Sequence, residues 1–224
     1  MAYILNIHTA TETALVSLAD GPVVLGTLTN EETKQHAAFL HLAIDKLLKD
    51  RQIAIKELEA IGVSSGPGSY TGIRVGLAAA KGLCFALNIP MINYNSLELL
   101  ALSAMDFAND AQGLYCPMID ARRMEVYTAL YKFTEVEVFG PSALILSEDS
   151  FSSELRLGKV YFSGSGTDKF EKLIKNQNAI FLPGRISAGS IARLSWRKFE
   201  KQDFRNTAYL SPLYIKEFHT ILKT

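Results

Sequence analysis

Three short apolar runs separated by turn residues, then helical and strand spacing in alternation, occur twice along this chain of 224 residues. In the first pass, strands are predicted over Tyr3–Ile7, Ala14–Ala19 and Val23–Leu28, with Asp20-Gly21-Pro22 turning between the last two. From about Glu32 to Lys49 the residues Phe39, Leu40, Ile44, Leu47 and Leu48 form one helical stripe. A buried strand near Ala60–Ser64, a helix from about Gly72 to Leu87, a strand over Ile89–Asn93 and a helix over Ser96–Phe107 follow, with Ser96 as the N-cap. The second pass reads Leu114–Ile119, Glu125–Tyr131 and Val136–Phe139 as strands, then Ser150–Leu155 as a short helix and Lys159–Phe162 as a strand. Helix Asp168–Asn176, strand Ala179–Leu182 and helix Ala188–Phe199 end it. The same order twice, without residue-by-residue repetition, predicts two similar α/β lobes joined at the polar linker Asn109–Gly113.

An apolar fraction of 48% beside 21% charged residues supports a packed core and excludes fibrous and disordered classes. Lys plus Arg and Asp plus Glu are both 23, so a lone tight binder of RNA or DNA is not expected. If nucleic acid is involved, another subunit supplies much of the charge. Cys84 and Cys116 sit in apolar surroundings, which fits small buried thiols and no disulfide framework. The amino terminus lacks a basic region, and the longest apolar candidate, Gly72–Leu87, carries Arg74 and Lys81. Neither a signal peptide nor a membrane span is expected, and the cytoplasm is the expected location.

The stretch Gly62–Gly76 runs from a strand through glycines and hydroxyls into a helix, an arrangement that can present N–H groups to an anion. Ser65, Gly66, Gly68, Ser69 and Thr71 are the candidates for such an anion or nucleotide loop. A P-loop spacing fails, because Thr71 and Ile73 stand five beyond Gly66 and Gly68 and no lysine precedes Lys81. A dinucleotide fingerprint fails too, with Thr71 at the position of the third glycine and no acid between Glu59 and Glu98. Within the helix, Gly72, Gly76, Ala80 and Cys84 recur every four residues and leave one face nearly flat. Two uses fit that face: close packing inside the lobe, or a surface for another subunit. Arg74 is the charged side chain in the first turns of this helix, where an anion or acidic partner would offset its opposition to the helix dipole.

Catalytic constellations are scarce. His8, His36, His41 and His219 form no His-Glu-x-x-His pattern, and His36 and His41 point about 140° apart on a helix. Ser163-Gly164-Ser165-Gly166 only approaches a nucleophile elbow. Asp120-Ala121-Arg122-Arg123 reads either as an acid beside two guanidinium groups or, more simply, as a polar turn between strands.

The stretch SSGPGSYTGIRVGLAAAKGLCFALNIPMINYNSLELLA resembles the signature of the TsaB (YeaZ) family, which serves threonylcarbamoyladenosine synthesis on tRNA. ILNIHTATETALVSL, KQHAAFLHLAIDKLL, IDARRMEVYTALY and SPLYIKE extend the resemblance along the chain. It implies two actin-like, ribonuclease H-like lobes, residues 1–108 and 109–224, the first binding a partner. It also implies a subunit without catalytic residues, metal or cofactor of its own. That subunit would bind the paralogue TsaD, act with the ATPase TsaE, meet tRNA through the complex and form a homodimer in isolation. Ser96 and Leu100 stand where TsaD carries two metal-binding histidines, and His8 stands where actin-like ATPases place an aspartate. The interface candidates under the resemblance are Phe39, Leu40, Gly72, Arg74, Gly76 and Ala80, with core packing an equal reading for Phe39 and Leu40. An actin-like small-molecule kinase or a metallopeptidase is the alternative.

Overall fold

β1 (Tyr3–His8) runs antiparallel to β2 (Ala14–Asp20), which pairs with β3 (Val23–Asn30) on its other side. The computed structural model describes residues 2–32 and 35–216. Thr33 and Lys34, in the predicted start of the first helix, and the chain end with Glu217 and His219 lie outside the described residues. After the meander come α1 (His36–Asp50), β4 (Leu58–Ser64), α2 (Tyr70–Leu87), β5 (Met91–Tyr94) and α3 (Ser96–Ala108). The second pass comprises β6 (Leu114–Asp120), β7 (Glu125–Lys132), β8 (Glu137–Ile145), α4 (Ser152–Leu157) and β9 (Val160–Ser163). It ends with α5 (Thr167–Glu171), β10 (Ala179–Leu182) and α6 (Ala188–Glu200).

The two sheets have the same topology. Their orders are β3-β2-β1-β4-β5 and β10-β9-β6-β7-β8, with each meander antiparallel and each later strand parallel. A parallel neighbour requires a crossover, and α1 and α2 provide it in the first sheet. β1 and β4, flanked on both sides, are buried along nearly their whole length, as strands covered on both faces should be.

One face of the first sheet (Leu5, Ile7, Val16, Ile61, Val63) packs under α1 and α2 through Leu40, Leu47, Ile73 and Leu77. The other face (Ile4, Leu15, Ala60, Ile92) is covered by Ile191 and Leu194 of α6, the last helix of the second pass. Conversely, α3 places Leu97, Leu100 and Ala104 against Tyr115, Ile119 and Tyr131 of the second sheet. The lobes therefore exchange helices. Gly62 makes room for this arrangement: a Cβ there would fall 1.5 Å from the Tyr94 hydroxyl, which donates to Asn6 Oδ1 on the face that α6 covers.

α1 begins at His36 rather than near Glu32, and three further element predictions need correction. Asn95, not Ser96, caps α3, accepting from Leu97 N at 2.8 Å, while the Ser96 hydroxyl is buried. β8 spans nine residues rather than stopping at Phe139, continuing through Gly140-Pro141 because an edge strand tolerates proline. α5 ends at Glu171 rather than Asn176, the chain closing in a turn in which Leu173 N and Ile174 N both bond back to Phe170 O. Both cysteines are free and buried; burial pushes the Cys84 thiol up to about 11 and raises Cys116 as well, which suits inert core positions. No helix among the described residues is long and apolar enough to cross a membrane.

Candidate functional site

The carboxyl end of β1 and the loop after β4 meet at the amino end of α2. Ser69 N donates to Ala10 O at 2.7 Å, and Thr9 Oγ1 donates to Gly72 O at 2.7 Å. The two loops interlock because the glycines present no side chain. A Cβ on Gly68 would lie 1.9 Å from Ala10 O, and one on Gly72 would lie 1.9 Å from Thr9 O. Gly68 also has φ +149°, a backbone conformation in which a side chain is strained. Ser69 caps α2 through Gly72 N at 3.2 Å, and Ser65 N is bonded to Tyr94 O. Several polar groups of the predicted anion loop thus serve internal architecture. Gly68, Ser69 and Thr71 border a cleft of about 600 Å³ between the lobes, while Ser65 and Gly66 are buried.

Across the cleft stands the β6–β7 turn with Asp120 and Arg122. Asp120-Ala121-Arg122-Arg123 is the polar turn, with Arg122 and Arg123 at φ 71° and 50° and Arg122 N donating to the Asp120 carboxylate. Lys169 Nζ secures it, donating to Asp120 Oδ1 at 2.9 Å, Arg123 O at 2.7 Å and Glu125 O at 3.0 Å. Partial burial opposes ionisation of Asp120, but the Lys169 ammonium and the Arg122 amide outweigh it and hold the carboxyl below its ordinary range.

His8 lies beneath the same loops, its Nδ1 2.8 Å from Ser64 Oγ and its Nε2 2.9 Å from Thr11 Oγ1. Burial, with a smaller contribution from His36, lowers its pKa from 6.5 to about 3. The side chain is therefore a neutral link between β1 and β4. Because the folded-state pKa lies below the unfolded one, the unfolded chain takes up the proton first. This contribution is full above about pH 6.5 and is lost as the pH falls toward about 3. At pH 4.5 the loss attributable to His8 is expected to be about 2–3 kcal/mol. Urea unfolding of wild-type and His8→Asn protein at pH 7 and 4.5 measures it as a difference of differences. Parallel pH dependences would remove this role.

The interface candidates fall into two groups. Leu40 is fully buried in the first core, and Gly72, Gly76 and Ala80 face inward, with the Gly76 Cβ position 2.4 Å from Thr9 Oγ1. This corrects the interface expectation for those four: the flat face of α2 lets β1 and its loop approach closely inside the lobe. Phe39 is half-buried against the core. Arg74 is exposed and donates through Nε to the Tyr214 hydroxyl at 2.9 Å.

The outward face of α2 is a surface that the four-residue spacing of small residues does not itself mark. Thr71, Arg74, Ala78, Gly82 and Phe85 are exposed along it, and Phe85 is 86% accessible. The usable signal was the stripe complementary to Gly72-Gly76-Ala80-Cys84. A groove lined by His41, Ile55 and Leu83 lies beside it, between α1 and α2. Ser96 and Leu100, at the positions compared with metal-binding histidines, are buried on α3. Among the described residues no group of three or more His, Cys, Asp or Glu side chains is placed to hold a metal ion.

A family model described as TsaD, tRNA N6-adenosine threonylcarbamoyltransferase, matches residues 24–195. The tRNA threonylcarbamoyladenosine biosynthesis protein TsaB of Bacillus subtilis (strain 168) is 38% identical over 130 residues, 58% of this chain and 55% of that protein. The protein of the same name from Buchnera aphidicola subsp. Baizongia pistaciae is 27% identical over 195 residues, 81% of this chain and 84% of its own length. This chain thus spans little more than half of the Bacillus relative and most of the Buchnera one. YeaZ from Pseudomonas aeruginosa superposes with a TM-score of 0.81 at 23% identity, over 96% of this chain and 100% of that one. The shared fold is a pair of actin-like lobes, each a five-stranded mixed sheet flanked by helices.

Proposed function

Because the chain belongs to the TsaD family, on its TsaB (YeaZ) side, we propose that it is a subunit of the machinery making threonylcarbamoyladenosine on tRNA. In this reading it binds TsaD and, with TsaE, supports transfer of threonylcarbamoyl to the adenosine beside the anticodon without performing the chemistry. The observation that carries the reading is the family match extending through both lobes. Three features of the residues support the non-catalytic part. A hydroxyl and an isobutyl group, Ser96 and Leu100, cannot replace two imidazole ligands. His8 is neutral and occupied by Ser64 and Thr11, so it offers no carboxylate to a magnesium–nucleotide complex. The first-lobe glycine loop is tied to Ala10 and Thr9.

The proposed partner surface belongs to the first lobe, taken as residues 1–108, with the second lobe as 109–224. It consists of the outward face of α2, with Arg74 and Phe85, and the groove toward α1. Gly82 and Ala78 keep that face low, and Phe85 supplies the aromatic anchor that such contacts favour. The same surface would serve a homodimer in the absence of TsaD. A balanced charge of 23 against 23 fits a subunit that meets tRNA through its complex. For the anion reading of the loop, Gly68, Ser69 and Thr71 are the members that face the cleft.

Reconstitution of tRNA modification tests the reading. Omitting this chain is expected to reduce threonylcarbamoyladenosine formation at least about tenfold, and adding it back to restore it. Equal rates with and without it would refute the proposal. The isolated chain should hydrolyse ATP far below the ordinary enzyme range of about 1 per second or more. Turnover at that level, abolished by changing one of its own residues, would move the reading to the kinase alternative.

A further inference from the structure

Beyond α6 the chain returns to the first lobe and then crosses to the second. Arg205 N bonds to Met91 O at 2.8 Å, Lys81 Nζ reaches Ala208 O at 3.4 Å, and Leu210 packs on the first core. Leu213 N then donates to Ser65 O at 2.8 Å, directly over the glycine loop. The loop is shaped for it: Gly66 has φ +110°, and a Cβ there would lie 3.1 Å from Leu213 O. Tyr214 stacks on Tyr70 with centroids 5.6 Å apart and accepts from Arg74, whose guanidinium sits 3.9 Å over the Tyr70 ring. Lys216 Nζ finally pairs with Glu125 Oε1 of β7 at 2.5 Å, so the segment bridges the lobes and walls the cleft.

These anchors are of a releasable kind. Leu213 and Tyr214 are 38% and 37% exposed, and the ion pair joins a half-exposed Lys216, at 46%, to the more covered Glu125, at 18%. The backbone bond ends on the buried Ser65, but the segment carrying its donor has neither helix nor strand around it, and such irregular, partly exposed segments open locally far more readily than core strands. The segment also holds Arg74 and Tyr70, which lie at the amino-terminal end of the outward face of α2. We propose that Leu213–Lys216 is a strap that competes with the protein partner for this end of α2 and lets go when the partner docks. The inference rests on the reading that TsaD docks on that face. Closed, the strap lowers the fraction of molecules ready to bind, so weakening it strengthens association without adding a contact.

The test uses the full chain as wild type, Tyr214→Ala and Lys216→Ala, with purified TsaD, following affinity and amide hydrogen exchange. Lys216→Ala leaves Arg74 and Tyr70 untouched. The Leu213 amide is expected to exchange at least tenfold faster in the wild-type complex than in the free chain. Both variants are expected to bind three- to tenfold more tightly than wild type. A complex in which that amide exchanges at the same rate or more slowly overturns the strap, as do variants that bind no better. If wild-type chain and TsaD do not associate, the docking reading fails and the strap is judged on the free chain. There Tyr214→Ala should speed exchange across residues 65–73 at least tenfold, leaving the α1 amides of Leu40 to Leu48 unchanged. Unaltered exchange at 65–73 overturns it.

Discussion

Gly72→Ala is expected to destabilise the protein by about 2–3 kcal/mol, although alanine is the better helix former by about 1 kcal/mol. The added methyl would meet Thr9 O, a backbone atom at 1.9 Å that cannot rotate away, so β1 or α2 must shift. For a chain of this size the melting temperature should fall by about 5–10 °C. Gly82→Ala, ten positions along the same helix, is the internal control. Nothing lies within 4 Å of its Cβ position, and the change should stabilise by about 0.5–1 kcal/mol. Thermal melting of both variants by circular dichroism reads the contrast. Shifts of the same sign would refute the assignment of inner and outer faces to α2.

Phe85→Asp is expected to leave that melting temperature within about 2 °C of wild type, since surface changes away from special features rarely exceed about 0.5 kcal/mol. At the proposed contact with TsaD it should weaken association at least about thirtyfold, because truncating a central aromatic anchor typically costs about 2 kcal/mol or more. The carboxylate adds the cost of burying a charge. Titration of labelled TsaD with each chain measures the affinity. Wild-type affinity in a normally folded variant would take the contact away from α2's outward face.

The order of elements was legible because apolar spacing and turn residues report which backbone is extended and which is helical. Its edges were less so. Asn95 and Ser96 are both competent caps, and the choice belongs to the extended backbone at Asn95, ψ 136°, which a string of letters does not carry. Gly140-Pro141 hid the second half of β8, since only its place at the sheet edge makes proline acceptable. Leu173 and Ile174 mimicked a further helical turn while packing instead after α5 has ended.

For the site, the spacing of Gly72, Gly76 and Ala80 announced a close approach, and the approaching body proved to be the chain's own β1 and its following loop. Glycine reports room but not its occupant. The span of α6 was legible too, but nothing in its own residues names the first sheet as the one that Ile191 and Leu194 cover. Phe85 was invisible for a different reason: in a helix rich in apolar residues, one more phenylalanine looks like core. The segment Ser211–Lys216 has neither helical nor strand period, and its contacts with Ser65, Arg74 and Glu125 depend on residues far away in sequence.

The exchange of α3 and α6 ties the order of synthesis to the order of assembly. When the first 108 residues have emerged from the ribosome, Ile4, Leu15, Ile92 and Tyr94 form an apolar sheet face whose cover, Ile191 and Leu194, has yet to be made. The nascent first half must wait for nearly the whole chain, with α3 equally bare until the second meander arrives. A gene cut at the linker would give two fragments that each lack a wall. The molecule has the outline of a duplicated half, yet its halves are no longer separable heirs: each is completed by the other's helix.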